Sequence, residues 1–267
     1  MTTRRKFLLG TLGVLGVGGA TAWFNRHRIL RWGMLQNVNP TLQVSAAPTL
    51  PDDVCVLTSP QVEGPFYFPS PNRKDIVEGR KGKPMNLKMQ ILNAADCKPI
   101  EGAVVELWHC DAEGVYSGYP KEIAHDLWKT FMFIGSNGQK IGDEYHADPI
   151  SEAKFLRGRQ HADASGLVEF NTIFPGWYEG RVPHIHFKVF VGETLRFTSQ
   201  FYFDQDFQDK IYTSIEPYKQ YGKCPIALQN DTALAEAKTT IKGLILKPTW
   251  NNDQALEASA KIGVQLV

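Results

Sequence analysis

Short runs of apolar or alternating residues, separated by glycine and proline, dominate the hydrophobic pattern of this chain. Alternation with a period of two is typical of a β-strand with one buried face, and Gly and Pro favour the turns between strands. The runs that predict strands are residues 87–92, 103–109, 167–172, 185–191 and 195–203. They indicate an all-β fold, an antiparallel β-sandwich whose long loops carry the functional site.

Two segments do not fit this strand pattern cleanly. Residues 123–133 are compatible with either a short helix or a further strand, and residues 231–246 do not distinguish the two. The rest of 207–267 gives no assignment. The predicted sandwich therefore rests on the five runs given above.

The N-terminal residues have a different character. A twin arginine, Arg4 and Arg5, precedes an apolar, glycine-rich run of 17 residues from Phe7 to Trp23. The segment resembles a twin-arginine export signal. An uncleaved membrane anchor is the alternative, since a span needs about 17 to 25 apolar residues.

This segment divides the chain into three predicted parts. Residues 1–23 form the signal or anchor, residues 24–53 a linker, and residues 54–267 one domain, which is long enough to bury a core. The expected location is exported, periplasmic or extracellular, either free or anchored by the N-terminal segment. Transient contact with the twin-arginine export machinery is the partner that follows from it.

Charge and cysteine content exclude some functions. The chain has 29 basic and 28 acidic residues and a net charge of +1, so no nucleic-acid partner is expected. The four cysteines are Cys55, Cys97, Cys110 and Cys224. They allow three pairings if all are bridged, or four buried thiols, and their spacing is unlike that of a structural zinc site.

The candidate chemistry is concentrated in residues 175–187. His184 and His186 are two residues apart, so on a strand both rings project from one face, as two ligands of one metal ion must. Tyr178 lies just upstream, and a second tyrosine, Tyr116, follows a predicted strand in a glycine-containing turn. A His-x-His pair alone is compatible with an ordinary half-buried polar face, and the two tyrosines favour the metal hypothesis.

Five landmarks together resemble the intradiol ring-cleavage dioxygenases, the family of protocatechuate 3,4-dioxygenase and catechol 1,2-dioxygenase. They are residues 63–67 (EGPFY), 108–116, Arg157-Gly158 with Asp163 and Gly166, residues 170–178, and residues 181–187. The core is most similar to a protocatechuate-type subunit. Assembly into an oligomer stays open.

The resemblance implies one ferric ion per chain, held by Tyr116, Tyr178, His184 and His186. A phenol normally keeps its proton up to a pH of about 10, so two phenolates near neutrality need a strong Lewis acid. Hard anionic oxygen ligands favour ferric over ferrous iron. These residue types therefore suit the metal that the resemblance implies.

The implied reaction joins a small aromatic diol and O2. The catechol-type ring is cleaved between its two hydroxyl-bearing carbons to give a cis,cis-muconate-type product. Tyr178 acts as a base, Arg181 stabilises negative charge on the ring, and Gln200 matches a further residue near the iron. Which catechol is the substrate stays open, since Arg157 and Arg159 are candidate carboxylate-binding residues by composition alone.

Other aromatic and imidazole side chains carry two interpretations each. Tyr67 and Tyr119 fit either a substrate pocket or ordinary packing, and His109, after Trp108, fits either a supporting role or a satisfied core histidine. Two other classes of protein are the alternatives. A non-catalytic β-sandwich binding module has no need for all four ligands, and a cupin-type metalloenzyme would need a later histidine, whereas none follows His186.

Overall fold

Strands make up most of the regular structure. The computed structural model describes residues 57–141, 144–234 and 241–266, and all of these belong to one compact unit. The predicted signal or anchor, the predicted linker and Cys55 lie outside the described residues. Neither α-helix of the described ranges has the length and apolar character that a bilayer crossing requires.

The strands, in chain order, are β1 (Pro84–Asn93), β2 (Val104–Trp108), β3 (Gly138–Ile141), β4 (Glu144–Ala147), β5 (Arg157–His161), β6 (Leu167–Ile173), β7 (His184–Val191), β8 (Thr194–Phe203), β9 (Ile245–Leu246), β10 (Thr249–Trp250) and β11 (Leu256–Val264). The α-helices are α1 (Leu127–Asn137) and α2 (Gln205–Ser214). Short 3-10 turns lie at Lys121–Ile123, Tyr218–Tyr221, Leu228–Asn230 and Lys242–Leu244.

Two larger sheets and one hairpin organise these strands. One sheet has the order β10-β11-β1-β6, the other has the order β5-β2-β7-β8-β9, and β3 pairs with β4. The pairing of β1 with β11 and of β8 with β9 is parallel, and the other ladders are antiparallel. The predicted antiparallel pairing therefore holds for most ladders, and the exceptions are the C-terminal strands β11 and β9, which run parallel to β1 and β8.

Both larger sheets contribute to one hydrophobic core. Leu87 of β1 and Phe170 of β6 lie in the same buried cluster as Leu107 of β2 and Phe187 of β7. Each of these residues sits on one face of its strand, as the alternating pattern predicts. Strands β1, β2, β6 and β7 therefore each bury one face in this core.

The opposite face of the five-stranded sheet is also buried but is not apolar. The register places Trp108 of β2, His186 of β7 and Gln200 of β8 side by side. All three side chains are almost fully buried. This face, rather than the apolar one, positions the candidate site.

All five predicted strands are present, with ends shifted by a few residues. The ambiguous segment 123–133 is helical, because α1 begins at Leu127 and Asp126 caps it by accepting a hydrogen bond from the Lys129 amide. Segment 231–246 contains a 3-10 turn and β9, and its residues 235–240 lie outside the described ranges. Cys97 is disulfide-bonded, whereas Cys110 and Cys224 are free buried thiols.

Candidate metal centre

His184 and His186 lie on one face of β7, and their Nε2 atoms are 3.0 Å apart. The His184 Nδ1 atom lies 2.7 Å from the Val182 carbonyl oxygen, which can only accept. The proton of a neutral His184 ring is therefore on Nδ1, and the Nε2 lone pair points toward His186. These two candidate ligands lie on a strand, which departs from the expectation that long loops carry the site.

The two tyrosines approach this pair from loops. The hydroxyl oxygen of Tyr116 lies 3.1 Å from Nε2 of both histidines, and that of Tyr178 lies 3.3 Å from His184 Nε2. Two oxygen and two nitrogen donors thus converge on one point. The four side chains that the sequence analysis assigned as ligands are brought together by the fold.

Two glycines allow the tyrosine loops to touch. Gly114 has a positive φ of 81°, and a Cβ built there would lie 2.6 Å from the Trp177 carbonyl oxygen. A Cβ at Gly176 would lie 2.4 Å from the Asp111 carbonyl oxygen. Neither position accepts a larger residue without moving backbone, so glycine here fixes the separation of Tyr116 and Tyr178.

Burial keeps all four groups neutral in the absence of a cation. It lowers the pKa of both His184 and His186 well below the usual value for histidine, with nearby positive or histidine groups as smaller causes. Burial also raises the pKa of Tyr116 well above 10 and that of Tyr178 to about 12. Neutral imidazoles are the form that binds metal, and the phenolic protons would have to be displaced by a strongly charged ion.

Arg181 brings a permanent positive charge next to this cluster. Its Nη1 lies 3.4 Å from the Tyr178 hydroxyl oxygen, and its Nη2 donates to the Gln200 side-chain oxygen. Its Nε donates to both carboxylate oxygens of Asp231, each at 3.0 Å. Burial is the largest single influence on the pKa of Arg181 and lowers it, but the Asp231 carboxylate together with the neighbouring tyrosines outweighs burial, and the pKa is raised.

Asp231 is a residue that the sequence analysis missed. It is fully buried and also accepts hydrogen bonds from the amides of Val182 and Ala233, both at 2.9 Å. It thereby fixes both the side chain of Arg181 and the backbone that leads into β7. No local pattern marks it, because its partner lies 50 positions away in the chain.

Gln200 links the strands around the centre. Its side-chain nitrogen donates to the Val62 carbonyl oxygen at 2.7 Å, and its oxygen accepts from Arg181 and from the Tyr202 hydroxyl at 3.3 Å. It holds the guanidinium through Nη2, whereas Asp231 holds it through Nε. Its predicted position near the cluster is thus observed, and its direct contact is with Arg181.

His186 is supported by a flat aromatic contact. Its ring stacks on Trp108 at 4.9 Å between centroids, with 10° between the planes. Its Nδ1 is buried without a hydrogen-bond partner among the described protein atoms. Stacking, rather than a hydrogen bond, therefore sets the ring orientation that aims Nε2 at the cluster.

The other candidates have structural partners. Both ring nitrogens of His109 are engaged, with the Cys110 carbonyl oxygen and with the Thr172 hydroxyl, each at 2.7 Å. Tyr67 donates to Glu106 at 2.9 Å. His109 is thus a satisfied core histidine, and Tyr67 belongs to a buried polar contact outside the four donors.

The two arginines considered for carboxylate binding are also committed elsewhere. Arg157 is fully buried and donates to the Phe66 carbonyl oxygen and the Ser117 hydroxyl, each at 2.7 Å. Arg159 lies 3.4 Å from the Glu106 carboxylate. Neither lines the cavity beside the tyrosines.

That cavity opens next to Tyr116 and Tyr178. Its walls come from the Phe66 segment, from the turn that carries Tyr116 and from the start of α1. Tyr119 is one of its walls, as one of the two interpretations of this residue predicted. Both phenols are part of its lining, so a group held there would contact Tyr116 and Tyr178.

The donor set fits ferric iron. Two phenol oxygens that can become anionic match a hard trivalent ion, and two neutral imidazoles complete the set. In the described part of the chain, no three His, Cys, Asp or Glu side chains meet at one point, so a metal ion at this cluster would need the tyrosine oxygens beside the two histidines.

The two tyrosines and two histidines that converge in this mostly-β domain could together hold one metal ion. Residues 62–258 match the family described as dioxygenase. The chain belongs to the intradiol ring-cleavage dioxygenase family. This assignment decides against the cupin alternative.

Individual relatives agree with the family. An intradiol ring-cleavage dioxygenase from Tetranychus urticae has a similar structure, with a TM-score of 0.65 and 27% identity over 79% of this chain and 95% of that one. Chlorocatechol 1,2-dioxygenase of Cupriavidus pinatubonensis is 24% identical over 55% of each chain. From the same organism, 6-chlorohydroxyquinol 1,2-dioxygenase is 29% identical over 48% of this chain and 50% of its own length. The chain thus spans about half the length of the curated relatives it matches.

Proposed function

We propose that this protein is a non-haem Fe(III) intradiol dioxygenase. It cleaves a catechol-type ring between the two hydroxyl-bearing carbons and gives a cis,cis-muconate-type product. One carbon–carbon bond breaks, and each of the two hydroxyl-bearing carbons becomes a carboxyl group that keeps its own oxygen and gains one atom of O2, so no external reductant is consumed. The convergence of Tyr116, Tyr178, His184 and His186 is the observation that carries the proposal.

A bound ferric ion would supply Lewis-acid chemistry, stabilising anionic oxygens and making the diol ring reactive toward O2. Within the protein, Tyr178 is the group we assign to accept a proton from the incoming diol. It is more exposed than Tyr116, it borders the cavity, and its hydroxyl faces the Arg181 guanidinium. That charge favours the anionic form of both Tyr178 and the ring that approaches it.

Arg181 is the electrostatic residue of the proposal. Its guanidinium is held by Asp231 at Nε and by Gln200 at Nη2, so its position is fixed before substrate arrives. Groups fixed in advance stabilise developing charge without reorganisation. The sandwich that carries these residues is the arrangement we infer from two sheets sharing one core.

Export from the cytoplasm is part of the proposal. The twin-arginine segment at residues 4–5 and the disulfide at Cys97 both support an oxidising compartment. Whether the signal is removed or kept as an anchor follows from the mass of the mature chain. Intact mass measurement of protein from the membrane and soluble fractions tests this point.

A visible spectrum with a metal assay tests the central claim. Charge transfer from phenolate to ferric iron should colour the purified protein, with one iron per chain. Tyr116→Phe and Tyr178→Phe should each shift or remove the band. Tyr119→Phe is the matched control, since the Tyr119 hydroxyl donates to the Ala147 carbonyl oxygen at 2.7 Å and takes no part in the cluster. An unchanged band in both cluster variants would reject the ligand assignment.

The support of Arg181 by Asp231 can be tested separately. Asp231→Asn removes the charge that balances a buried guanidinium, and such broken pairs cost about 3–5 kcal/mol of folding free energy. We expect a lower kcat with iron content and the visible band retained. Asp209→Asn breaks the exposed pair with Lys223 and should cost less than about 1 kcal/mol. Unchanged kcat in the Asp231 variant would remove Arg181 positioning from the mechanism.

A further inference from the structure

The cavity beside the two tyrosines is walled almost entirely by apolar groups. Its lining away from the tyrosine ligands includes Phe66, Val115, Tyr119, Ile123, Ala124 and Thr130. None of the described residues that line it carries a charge. A substituent on a ring bound against Tyr116 and Tyr178 would therefore meet hydrocarbon.

The two hydroxyl groups in this wall have already used their hydrogens. Tyr119 donates to the Ala147 carbonyl oxygen at 2.7 Å, and Thr130 donates to the Ile123 carbonyl oxygen at 2.6 Å. A carboxylate can only accept hydrogen bonds, so it needs free donors. Neither side chain offers one without giving up a bond to the backbone.

Two basic side chains adjacent in sequence to wall residues are committed as well, and so is Arg157, which donates to the wall residue Phe66. Lys121 pairs with Glu113, and Lys129 lies 3.6 Å from Asp126, both at the exposed surface. Arg157 donates behind the wall to Phe66 and Ser117, and its guanidinium lies 3.7 Å over the Phe68 ring. One of its nitrogens, Nη1, is buried without a partner but does not reach the lining.

From these contacts we infer that the site selects catechols whose remaining ring positions are unsubstituted or carry apolar substituents, and rejects ring carboxylates. The inference rests on the proposed function and narrows it. This wall segment has no charged side chain and no free side-chain donor, so an anionic substituent would be stripped of water there, which is strongly unfavourable. An alkyl or halogen substituent gains from the same wall. Ile123, at the centre of this wall segment, is a specificity-determining residue.

The test uses the full chain loaded with ferric iron and a matched substrate panel. Catechol, 4-methylcatechol and 4-chlorocatechol are compared with 3,4-dihydroxybenzoate by O2 uptake. Their binding without O2 is followed by the change in the visible band. We expect kcat/KM for 4-methylcatechol to exceed that for 3,4-dihydroxybenzoate by roughly 100-fold or more. Equal or better use of the carboxylated substrate would overturn the inference.

Adding a positive charge to the wall should shift the substrate preference toward the carboxylated catechol. Ile123→Lys introduces a cation into the wall and should raise the use of 3,4-dihydroxybenzoate relative to 4-methylcatechol by about 10-fold. Ile123→Met has similar length without charge and should keep the wild-type order of preference. An unchanged ratio in a folded, iron-loaded Ile123→Lys protein would contradict the role of this residue.

Failure of the proposed function would look different. If iron is bound but no catechol binds or is turned over, the dioxygenase proposal itself falls, and this inference falls with it. If catechols are cleaved but the carboxylated one is preferred, only the inference about the wall is lost. The substrate ratio and the presence of any turnover separate the two.

Discussion

The two faces of the five-stranded sheet differ in role, because one packs into the hydrophobic core and the other carries the candidate centre. On β7, Ile185 and Phe187 point into the core, whereas His184 and His186 point the other way into the candidate centre. Both faces are buried, so burial alone does not separate them. The apolar face gains stability from packing, while the polar face buries groups that are neutral and costly to place there unless they bind something.

This contrast means that function and stability should respond to different substitutions one residue apart. A change on the polar face should affect metal content and activity. A change on the apolar face should affect folding free energy first.

His184→Ala should abolish activity and lower iron affinity by more than about 100-fold, because it removes a ligand rather than a residue that supports one. Iron content by metal analysis and the visible band are the measurements. The metal-free variant should remain folded by circular dichroism. A variant that holds one iron per chain would show that His184 is not a ligand.

Phe187→Ala should destabilise the protein by about 3–5 kcal/mol, since it opens a cavity in a fully buried cluster. Its ring stacks on Phe201 at 4.5 Å, so the neighbouring strand loses contact too. Urea unfolding of the metal-free protein measures the loss. Below the unfolding transition the variant should still bind one iron, and early loss of iron would mean that the two faces are coupled.

His109 is a useful contrast to His184 and His186, because it is a buried histidine whose two ring nitrogens are engaged by structural partners. Burial, with a smaller contribution from Arg157, lowers its pKa to about 4, below the unfolded value of about 6.5. The folded protein therefore favours the neutral ring. Above pH 6.5 the His109 ring is neutral in both the folded and the unfolded chain, and the full folding free energy is present. As the pH falls from about 6.5 toward 4, only the unfolded chain gains the proton, and the folding free energy falls by about 3 kcal/mol in total.

The measurement is the folding free energy from pH 7 to pH 4 in wild type and in His109→Gln. His184 and His186 also have lowered pKa values, so both proteins should lose stability in acid. Wild type should lose about 3 kcal/mol more than the variant over this range. Parallel pH curves would indicate that His109 does not contribute.

Much of the fold was readable from local pattern. The five predicted strands are present because period-two alternation depends on neighbouring residues only. The same periodicity correctly predicted that His184 and His186 share one face of a strand. Strands β9 to β11 and the short β3, β4 and β5 were not predicted, since their runs are short or their partners are distant in the chain.

The candidate site could be predicted from the sequence to a similar extent. The four donors, Arg181 and Gln200 were assigned from landmarks that recur in one order, and the fold brings them together. Asp231 was missed because nothing around it in the sequence differs from an ordinary turn. The carboxylate-binding role considered for Arg157 and Arg159 found no support, because their partners come from other strands and loops.

The sequence by itself determined which residue types this protein offers to a metal and which strand faces carry them, since both depend on identity and spacing along a few residues. Only the tertiary structure decided that two loops meet two strand positions at one point, that Asp231 holds Arg181, and that the adjoining wall is apolar. These properties depend on contacts between segments far apart in the chain, and such contacts exist only once the sheets have paired and packed.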